Sequence, residues 1–285
     1  MTDWFSGIDR AFIQAVRKNW FSLLLSCISF AVFLSLWSLV SAWFHGDWPF
    51  ASRNWEQTAE YIPYPWVVVQ AFFDSFTNHD PFSQLFMGDH IYASMKRITF
   101  GFALAFAAAV PLGLLMGRSG RAQAAANPEV ELFRPIPPLA WAPIFSIALG
   151  FVWGPIAIVF MGIFFPLLLS VRLGAKSVDP LLIDVARTLG ASRTQIFAKV
   201  VLPYTVPYLM TGVKVGLGIG WMCIVAAEML GAVGGGVGWY IWGTAQVSRY
   251  DLMYAGMVTI GVLSVLTTGV AGLLEQRLYK WMGTK

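Results

Sequence analysis

Charged residues and cysteines are both scarce in this sequence. Only 12% of the 285 residues are charged and 57% are hydrophobic, whereas about a quarter of the residues in a soluble domain carry a charge. A chain with so little polar surface cannot face water on all sides, which excludes an ordinary soluble domain. The two cysteines, Cys27 and Cys223, both lie in apolar runs. Their positions favour buried packing and exclude a disulfide framework.

The sequence also lacks the motifs of catalysis and of nucleotide binding. No G-x-x-x-x-G-K-[ST] loop is present, and the glycine-rich stretch GGGVGW at residues 234–239 has no lysine after it. No Ser/His/Asp or Cys/His constellation is placed for chemistry. The three histidines, His45, His79 and His90, lack metal-ligand spacing. These absences predict that the chain is not an enzyme, that it binds no metal or cofactor, and that its histidines are exposed to solvent.

Long apolar runs predict helices that span a membrane. About 20 mainly apolar residues cross a bilayer as a helix, and such runs recur along the sequence. The first has no small-residue cleavage site after it, so we interpret it as a retained helix rather than a signal peptide. The predicted fold is an all-α polytopic membrane protein with about six spans, at residues 21–44, 98–117, 128–150, 153–174, 207–231 and 252–274.

The charges between the spans predict the orientation of the chain. Residues 45–90 carry several acidic residues but a single base, Arg53, and are predicted to form an outer loop. Basic residues collect on the other side, as they do in cytoplasmic loops. Both termini should then be cytoplasmic, with residues 1–20 as a cytoplasmic segment before one transmembrane domain at 21–285. The same asymmetry accounts for the net charge of +4 without a nucleic-acid partner. Lys96 and Arg97, at the outer end of the second span, are exceptions that we expect to snorkel to the interface.

A long uncharged run sets the position of the third span. Residues 139–171 contain no charged side chain, and as a helix they would extend for about 50 Å at 1.5 Å per residue. That length is too great for one crossing, so a turn is predicted at residues 151–155. The third span must then begin before Pro138, inside the proline-rich stretch ELFRPIPPLAWAP at residues 131–143.

This proline-rich stretch is the candidate translocation path. Its prolines cannot sit in an unbroken helix, and non-helical backbone at membrane depth is tolerated only where protein buries it or where it lines a wet cavity. The candidate residues are Arg134, Pro137, Pro138 and Trp141. The Arg134 guanidinium matches the geometry of an oxyanion. The alternatives are an entry loop at the cytoplasmic interface, and an arginine that anchors the span or meets lipid phosphate.

A polar stretch, DVARTLGASRTQIFAKVVLP at residues 184–203, interrupts the apolar sequence between the fourth and fifth spans. A helix is predicted to begin at Pro180, with Leu182, Ala186 and Leu189 on one apolar face. Gly190 can end it, because glycine adopts a left-handed conformation without a side-chain clash.

A second short helix is predicted after this glycine. Ser192 can cap its N-terminus, and Pro203 and Pro207 are predicted to end the unit before the fifth span. The stretch is therefore interpreted as two short helices at a fixed angle in a cytoplasmic loop at residues 176–208. An amphipathic hairpin that rests on lipid is the alternative.

The spacing of this stretch resembles the EAA loop of the permease subunits of bacterial ABC importers. That pattern has an acidic residue, two alanines, a glycine six positions after the acid, and a Leu-Pro pair that ends thirteen positions later. The residues that keep this spacing are Asp184, Ala186, Gly190, Leu202 and Pro203. The sequence departs from the pattern twice, with aspartate for the usual glutamate at 184 and Val185 for the first alanine.

Further motifs extend the resemblance over nearly the whole chain. They are YIPYP at 61–65, which precedes a short helix in the outer loop, RITFGF at 97–102, FRPIPPLAWAP at 133–143, FFPLLLS at 164–170 and AAEML at 226–230. Together they are similar to the nitrate/sulfonate/taurine/bicarbonate group of importer permeases. The resemblance implies a type I ABC importer permease fold (MetI-like) in a bacterial inner membrane. It also implies import of a small anionic solute of one of these classes.

The resemblance further implies partners and a coupling site. The partners would be a second copy of the permease, two cytoplasmic ATPase subunits that bind ATP and Mg²⁺, and an extracytoplasmic protein that delivers the solute. In the family, the short helix of the EAA loop sits in a groove of the ATPase. The residues implied in this coupling are Asp184, Val185, Ala186, Gly190 and Ala191.

The predicted fifth span carries two further features. Gly212, Gly216 and Gly220 recur at four-residue intervals, a pattern that lets helices approach closely, within one subunit or at a pore or dimer interface. Glu228, near the outer end, is a candidate for the translocation path, and a structural role is the alternative. The competing function is an ATP-independent secondary transporter, which should carry acid–base pairs within its spans and an internal repeat. The sequence indicates neither.

Overall fold

A computed structural model describes residues 3–45, 61–231 and 233–281. Contacts between residues divide the chain into two compact units, Met1–Ala71 and Phe72–Lys285. Within the described residues, every regular element is helical, which confirms the all-α fold class. Part of the predicted outer loop, residues 46–60, lies outside the described residues.

In chain order the helical elements are α1 (Asp3–His45), α2 (Pro65–Thr77), α3 (Met87–Arg118), α4 (Gly120–Phe133), a 3₁₀ turn (Pro138–Trp141), α5 (Ala142–Lys176), α6 (Pro180–Thr188), α7 (Arg193–Ile196), a π turn (Phe197–Val201), α8 (Leu202–Met229), α9 (Val237–Gln246) and α10 (Tyr250–Trp281). The short helix expected after the YIPYP motif is α2.

Five helical segments within the described residues are long and apolar enough to cross a membrane. They are Trp20–His45, Met87–Arg118, Pro138–Lys176, Arg193–Met229 and Tyr250–Lys280. Each overlaps a predicted span, but the predicted third and fourth spans fall largely on the single candidate Pro138–Lys176. The predicted third span at 128–150 is therefore not a separate candidate span, because it is divided among α4, the 3₁₀ turn and the start of α5.

The physical reason is the proline-rich stretch followed by a glycine. Helix α4 ends at Phe133, and only eight residues of α5 precede Gly150, which has φ 72° and ψ 175°. Those eight residues extend about 12 Å as a helix, which is too short to cross. A Cβ on Gly154 would lie 3.3 Å from the carbonyl oxygen of Phe145, so the chain folds back at Gly150. The predicted turn exists, one residue before the predicted range.

Close backbone approach holds α3, α5 and α8 together. A Cβ on Gly101 of α3 would lie 2.6 Å from Val159 Cγ1 of α5, and one on Gly162 of α5 would lie 2.5 Å from Cys223 Sγ of α8. The stripe predicted on the fifth span packs on α5 of the same chain, since Gly212, Gly216 and Gly220 face Ser170 and Ile163. Among the predicted alternatives, these glycines therefore serve tight packing within one subunit.

The predicted end of the polar unit at two prolines is wrong. The helix that begins at Arg193 continues without a break to Met229, with Pro203 in the first turn of α8 and Pro207 inside it. The π turn provides the reason, because the Leu202 N–H bonds back five residues to the Phe197 oxygen. The widened turn accommodates a residue that has no N–H to donate.

Candidate coupling segment and transmembrane cleft

Both ends of helix α6 are fixed by local hydrogen bonds. At its start, Asp179 Oδ1 accepts the Leu181 N–H at 2.9 Å. At its end, Gly190 has φ 77°, its N–H donates to the Arg187 oxygen at 2.9 Å, and the next N–H, of Ala191, donates to the Ala186 oxygen at 3.0 Å. This pair of bonds is the Schellman motif, which requires a left-handed residue after the helix. The predicted start at Pro180 and the glycine cap are confirmed.

The second helix begins at Arg193, three residues after this glycine, and Ser192 is its N-cap. The Gln195 N–H donates to Ser192 Oγ at 3.3 Å, and the Ser192 N–H donates to Gln195 Oε1 at 2.8 Å. This reciprocal capping box confirms the predicted N-cap. Because a cap ends one helix and another starts the next, only a short rigid connection separates α6 from the helix that leads into α8.

The segment Pro180–Ala191 packs on the core by a different face from the predicted one. Ile183 is buried in a cluster with Leu168 and Val171 of α5, and Ala186 and Ala191 are partly buried against the same cluster. The predicted face contained Leu182 and Leu189, but both are exposed, Leu189 by 82%. Isoleucine at 183 and the small side chain at 186 fit the close contact, so the leucines are left on the outside.

The outer face of this segment combines apolar and charged side chains. Its exposed apolar members are Leu181, Leu182, Val185 and Leu189. Arg187 Nη1 lies 3.2 Å from Asp184 Oδ1, and both side chains are 66% exposed. An exposed pair at this spacing contributes only about 0.3–0.5 kcal/mol, so both groups are available to another protein.

The proline-rich stretch lines a cleft beside the middle of α5. Arg134 and Pro138 border a cavity of about 320 Å³ together with Met161, Pro166 and Leu169. Within the described parts of the chain, no carboxylate forms an ion pair with Arg134. The arginine is thus an exposed cation at a cleft whose other lining residues are uncharged.

A second cavity, of about 590 Å³, adjoins this cleft. Trp141 lines it with Phe133, Phe145, Glu129 and Phe164, and the buried Trp141 Nε1 is one of two orphaned polar side-chain atoms among the described residues. Pro137 caps the 3₁₀ turn between the two cavities. The structure therefore brings Arg134, Pro137, Pro138 and Trp141 together.

Glu228 lies apart from these residues, in a buried polar cluster. Its side chain has no exposed surface, and its Oε1 is 2.6 Å from Arg97 Nη1. Its carboxylate also accepts hydrogen bonds from Ser94 Oγ and from the Gly238 N–H. These hydrogen bonds are those expected if Glu228 has a structural role, which is the alternative to a role in the path. Solute could reach the carboxylate only if the cluster opened, and a role of Glu228 in the path stays a prediction.

The expectation that Arg97 snorkels is wrong. Its side chain is 9% exposed, and besides Glu228 it donates to the Gly235 and Val233 oxygens at 2.7 Å each. An arginine at the outer end of a span, against the charge rule, was the one sequence signal of this pairing. The acid lies 131 residues away along the chain, so spacing alone could not identify it.

The prediction of exposed histidines is wrong for His90, which is fully buried. Its Nε2 lies 3.0 Å from Asp80 Oδ2, and its Nδ1 accepts the Gly236 N–H at 3.0 Å. Burial by itself raises the pKa of the Asp80 carboxyl, but hydrogen bonds from Ser83, His90 and the Phe82 N–H outweigh burial. The pKa of Asp80 therefore lies below its ordinary value.

Two ion pairs lie in candidate spans, contrary to the expectation from sequence. One is Arg97–Glu228, and the other joins Lys214 Nζ and Glu275 Oε2 at 2.7 Å. Intramembrane acid–base pairs therefore do not separate an ABC permease from a secondary transporter here. In the parts of the chain that the structure describes, no group of three or more His, Cys, Asp or Glu side chains could hold a metal ion.

Sequence comparisons connect these features to known proteins. Residues 109–280 match the family described as binding-protein-dependent transport system inner membrane component. The taurine transport system permease protein of Escherichia coli K12 is 35% identical over 68% of this chain and 70% of its own length. The nitrate import permease protein of Synechocystis is 31% identical over 87% of this chain and 86% of its own length.

A solved structure shares the fold. A chain of the MetNI methionine ABC transporter, in an inward-facing conformation, superposes with a TM-score of 0.56 and 19% identity. The superposition covers 75% of this chain and 97% of that chain. At 19% identity, this similarity supports only a shared arrangement of helices.

Proposed function

The chain belongs to the family of inner-membrane components of binding-protein-dependent transport systems and is a non-catalytic permease subunit of an ABC importer; from this premise we propose how it is coupled and what it carries. ATPase and substrate-binding-protein partners follow from the family. The proposed assembly contains two copies of this permease and two ATPase subunits that bind ATP and Mg²⁺. Both termini and α6 face the cytoplasm of a bacterial cell, and the solute arrives from a binding protein outside.

We propose that Pro180–Ala191 docks on the ATPase. The observation that carries this proposal is a capped, rigid helix that exposes Leu181, Val185 and Leu189 beside Asp184 and Arg187. Exposed leucines at the end of a membrane protein favour a protein groove as the partner. Val185 in place of an alanine adds to this apolar face.

The same segment is built to transmit motion to the membrane. Ser192 caps a helix that runs unbroken through α8, and Ile183 and Ile196 join both short helices to one core cluster. A displacement of α6 by the closing ATPases would therefore move α8 as a rigid body. Gly190 fixes the angle at which this push is delivered.

We propose that the solute is a small oxyanion or sulfonate that passes the cleft at Arg134. The relatives' names include nitrate and taurine. The Arg134 guanidinium, which pairs with no carboxylate of the described residues, provides a planar, positively charged donor for such a group beside the middle of α5. The orphaned Trp141 Nε1 supplies a second donor in the adjoining cavity. Glu228 contributes to this path only in a state that opens its cluster.

The test is uptake by proteoliposomes that contain the permease, its ATPase and the loaded binding protein. Arg134→Ala should reduce nitrate or taurine uptake about tenfold or more, because a charge-assisted bond is worth about 1.5–3 kcal/mol. Arg121→Ala, which removes an exposed arginine from α4, is the matched control and should transport like wild type. Unchanged uptake by Arg134→Ala would remove Arg134 from the path.

A further inference from the structure

One face of α3 binds the backbone of the segment that links α8 to α9. His90, Ser94 and Arg97 follow one another at the i, i+4 and i+7 spacing of a single helix face, and all three are buried. With Glu228 of α8 they form a cluster that we call the clasp. The segment that it holds is Val233–Gly238.

The clasp forms hydrogen bonds with the backbone of nearly every residue in this segment. Arg97 donates to the Val233 and Gly235 oxygens. The N–H groups at 236, 237 and 238 donate in turn to His90 Nδ1, Ser94 Oγ and Glu228 Oε2, at 3.0, 2.9 and 2.9 Å. These N–H groups are the unpaired donors of the first turn of α9, where a carboxylate is also favourable to the helix dipole.

The glycines of the segment are shaped to the clasp. Gly234, Gly235 and Gly236 have φ values of 82°, 84° and 145°, which other residues rarely adopt. A Cβ on Gly235 would lie 3.1 Å from His90 Nδ1, and one on Gly236 would overlap the Glu228 carboxylate. At Gly235 and Gly236 the backbone therefore lies closer to the clasp than a residue with a side chain would allow.

We infer that His90, Ser94, Arg97 and Glu228 are positioning residues that fix Val233–Gly238, so that α3 and the far end of α8 move as one body during transport. This inference rests on the proposed function, in which the ATPase moves α8 from its other end. A connecting loop is ordinarily a mobile part of a protein, and a mobile link here would let α8 move without α3. The clasp makes α3 move with α8.

A buried ion pair that merely stabilises the fold makes a different prediction. Replacing such a pair with apolar residues of similar size is often neutral. Arg97 and Glu228 also bind two carbonyl groups and one N–H of the segment, which the double variant Arg97→Met/Glu228→Met would leave without partners. Loss of transport in the double variant supports positioning, and wild-type transport would overturn the inference.

Hydrogen–deuterium exchange of the complex in nanodiscs provides the direct test. The amides of 236–238 should be protected equally without nucleotide and with a non-hydrolysable ATP analogue. Ser94→Ala and Arg97→Met should speed their exchange about tenfold or more, while peptides from α5 and α6 keep wild-type exchange. Lys96→Met is the matched control, since it removes the adjacent exposed cation and should alter neither exchange nor uptake.

Two exchange results would also overturn the inference. One is loss of protection at 236–238 when the ATP analogue binds, because the segment would then open during the cycle. The other is unchanged exchange in Arg97→Met. The exchange measurement requires no transport, so failure of the clasp and failure of ATP-driven uptake are observed separately.

Discussion

Replacing Gly190 with proline should uncouple ATP hydrolysis from transport. Proline fixes φ near −65°, whereas this position has φ 77°, and the substitution also removes the N–H that donates to the Arg187 oxygen. Alanine at this position would cost about 1–2 kcal/mol for its left-handed conformation. Proline additionally loses both bonds of the cap, at about 1 kcal/mol each, so the turn should reorganise rather than strain.

The assay is solute transported per ATP hydrolysed in proteoliposomes with the ATPase and binding protein. We expect the ratio to fall tenfold or more in Gly190→Pro and to fall less in Gly190→Ala, because nothing but conformation opposes a side chain there. Gly120→Pro is the matched control. Gly120 is the first residue of α4, where proline is favoured, and its surroundings are open. A wild-type ratio in a correctly inserted Gly190→Pro protein would refute the coupling argument.

Two further predictions concern Leu189 and Asp80. Leu189→Glu places a charge on the most exposed apolar side chain of the segment Pro180–Ala191, and it should weaken copurification of the ATPase about tenfold while the permease keeps its thermal unfolding temperature. Undiminished copurification would contradict docking through this face. Asp80→Asn should lower the thermal unfolding temperature at pH 7. Because the pKa of Asp80 is depressed in the folded protein, the ionised carboxylate stabilises the fold at pH values above its unfolded pKa of about 3.9. That stabilisation is lost as the pH falls through the lower pKa of Asp80 in the folded protein, so the difference in unfolding temperature between Asp80→Asn and wild type should shrink below about pH 4. A difference that persists there would show that the carboxylate charge is not its source.

The local features of the coupling segment could be read from the sequence. A proline at the start of α6, a glycine after it and a serine before the next helix each act within a few residues, and the caps at Gly190 and Ser192 follow directly. The buried face could not be read, because Leu182 and Ile183 are equally apolar. Which of them meets α5 depends on the fit with a helix far along the chain.

In the membrane region, contacts between residues that are far apart in the sequence could not be predicted. Arg97 and Glu228 each violate a local expectation, but only the fold brings them within 2.6 Å. The third span failed for another reason. The prolines and the uncharged run predicted a turn, but not that it would lie at Gly150 and leave only eight residues of α5 before it, which are too few to cross. Arg134 and Trp141, which both lie in the stretch between α4 and α5, line two adjoining cavities, and their role in the translocation path stays a prediction.

The contact between Gly162 and Cys223 makes this cysteine a reporter of the separation between α5 and α8. The thiol is buried against a residue with no side chain, so a maleimide can reach it only when α5 and α8 part. Cys27 is the other cysteine of the sequence and is exposed. Replacing Cys27 with serine leaves one reporter, whose labelling rate in each nucleotide state measures how often these two helices open.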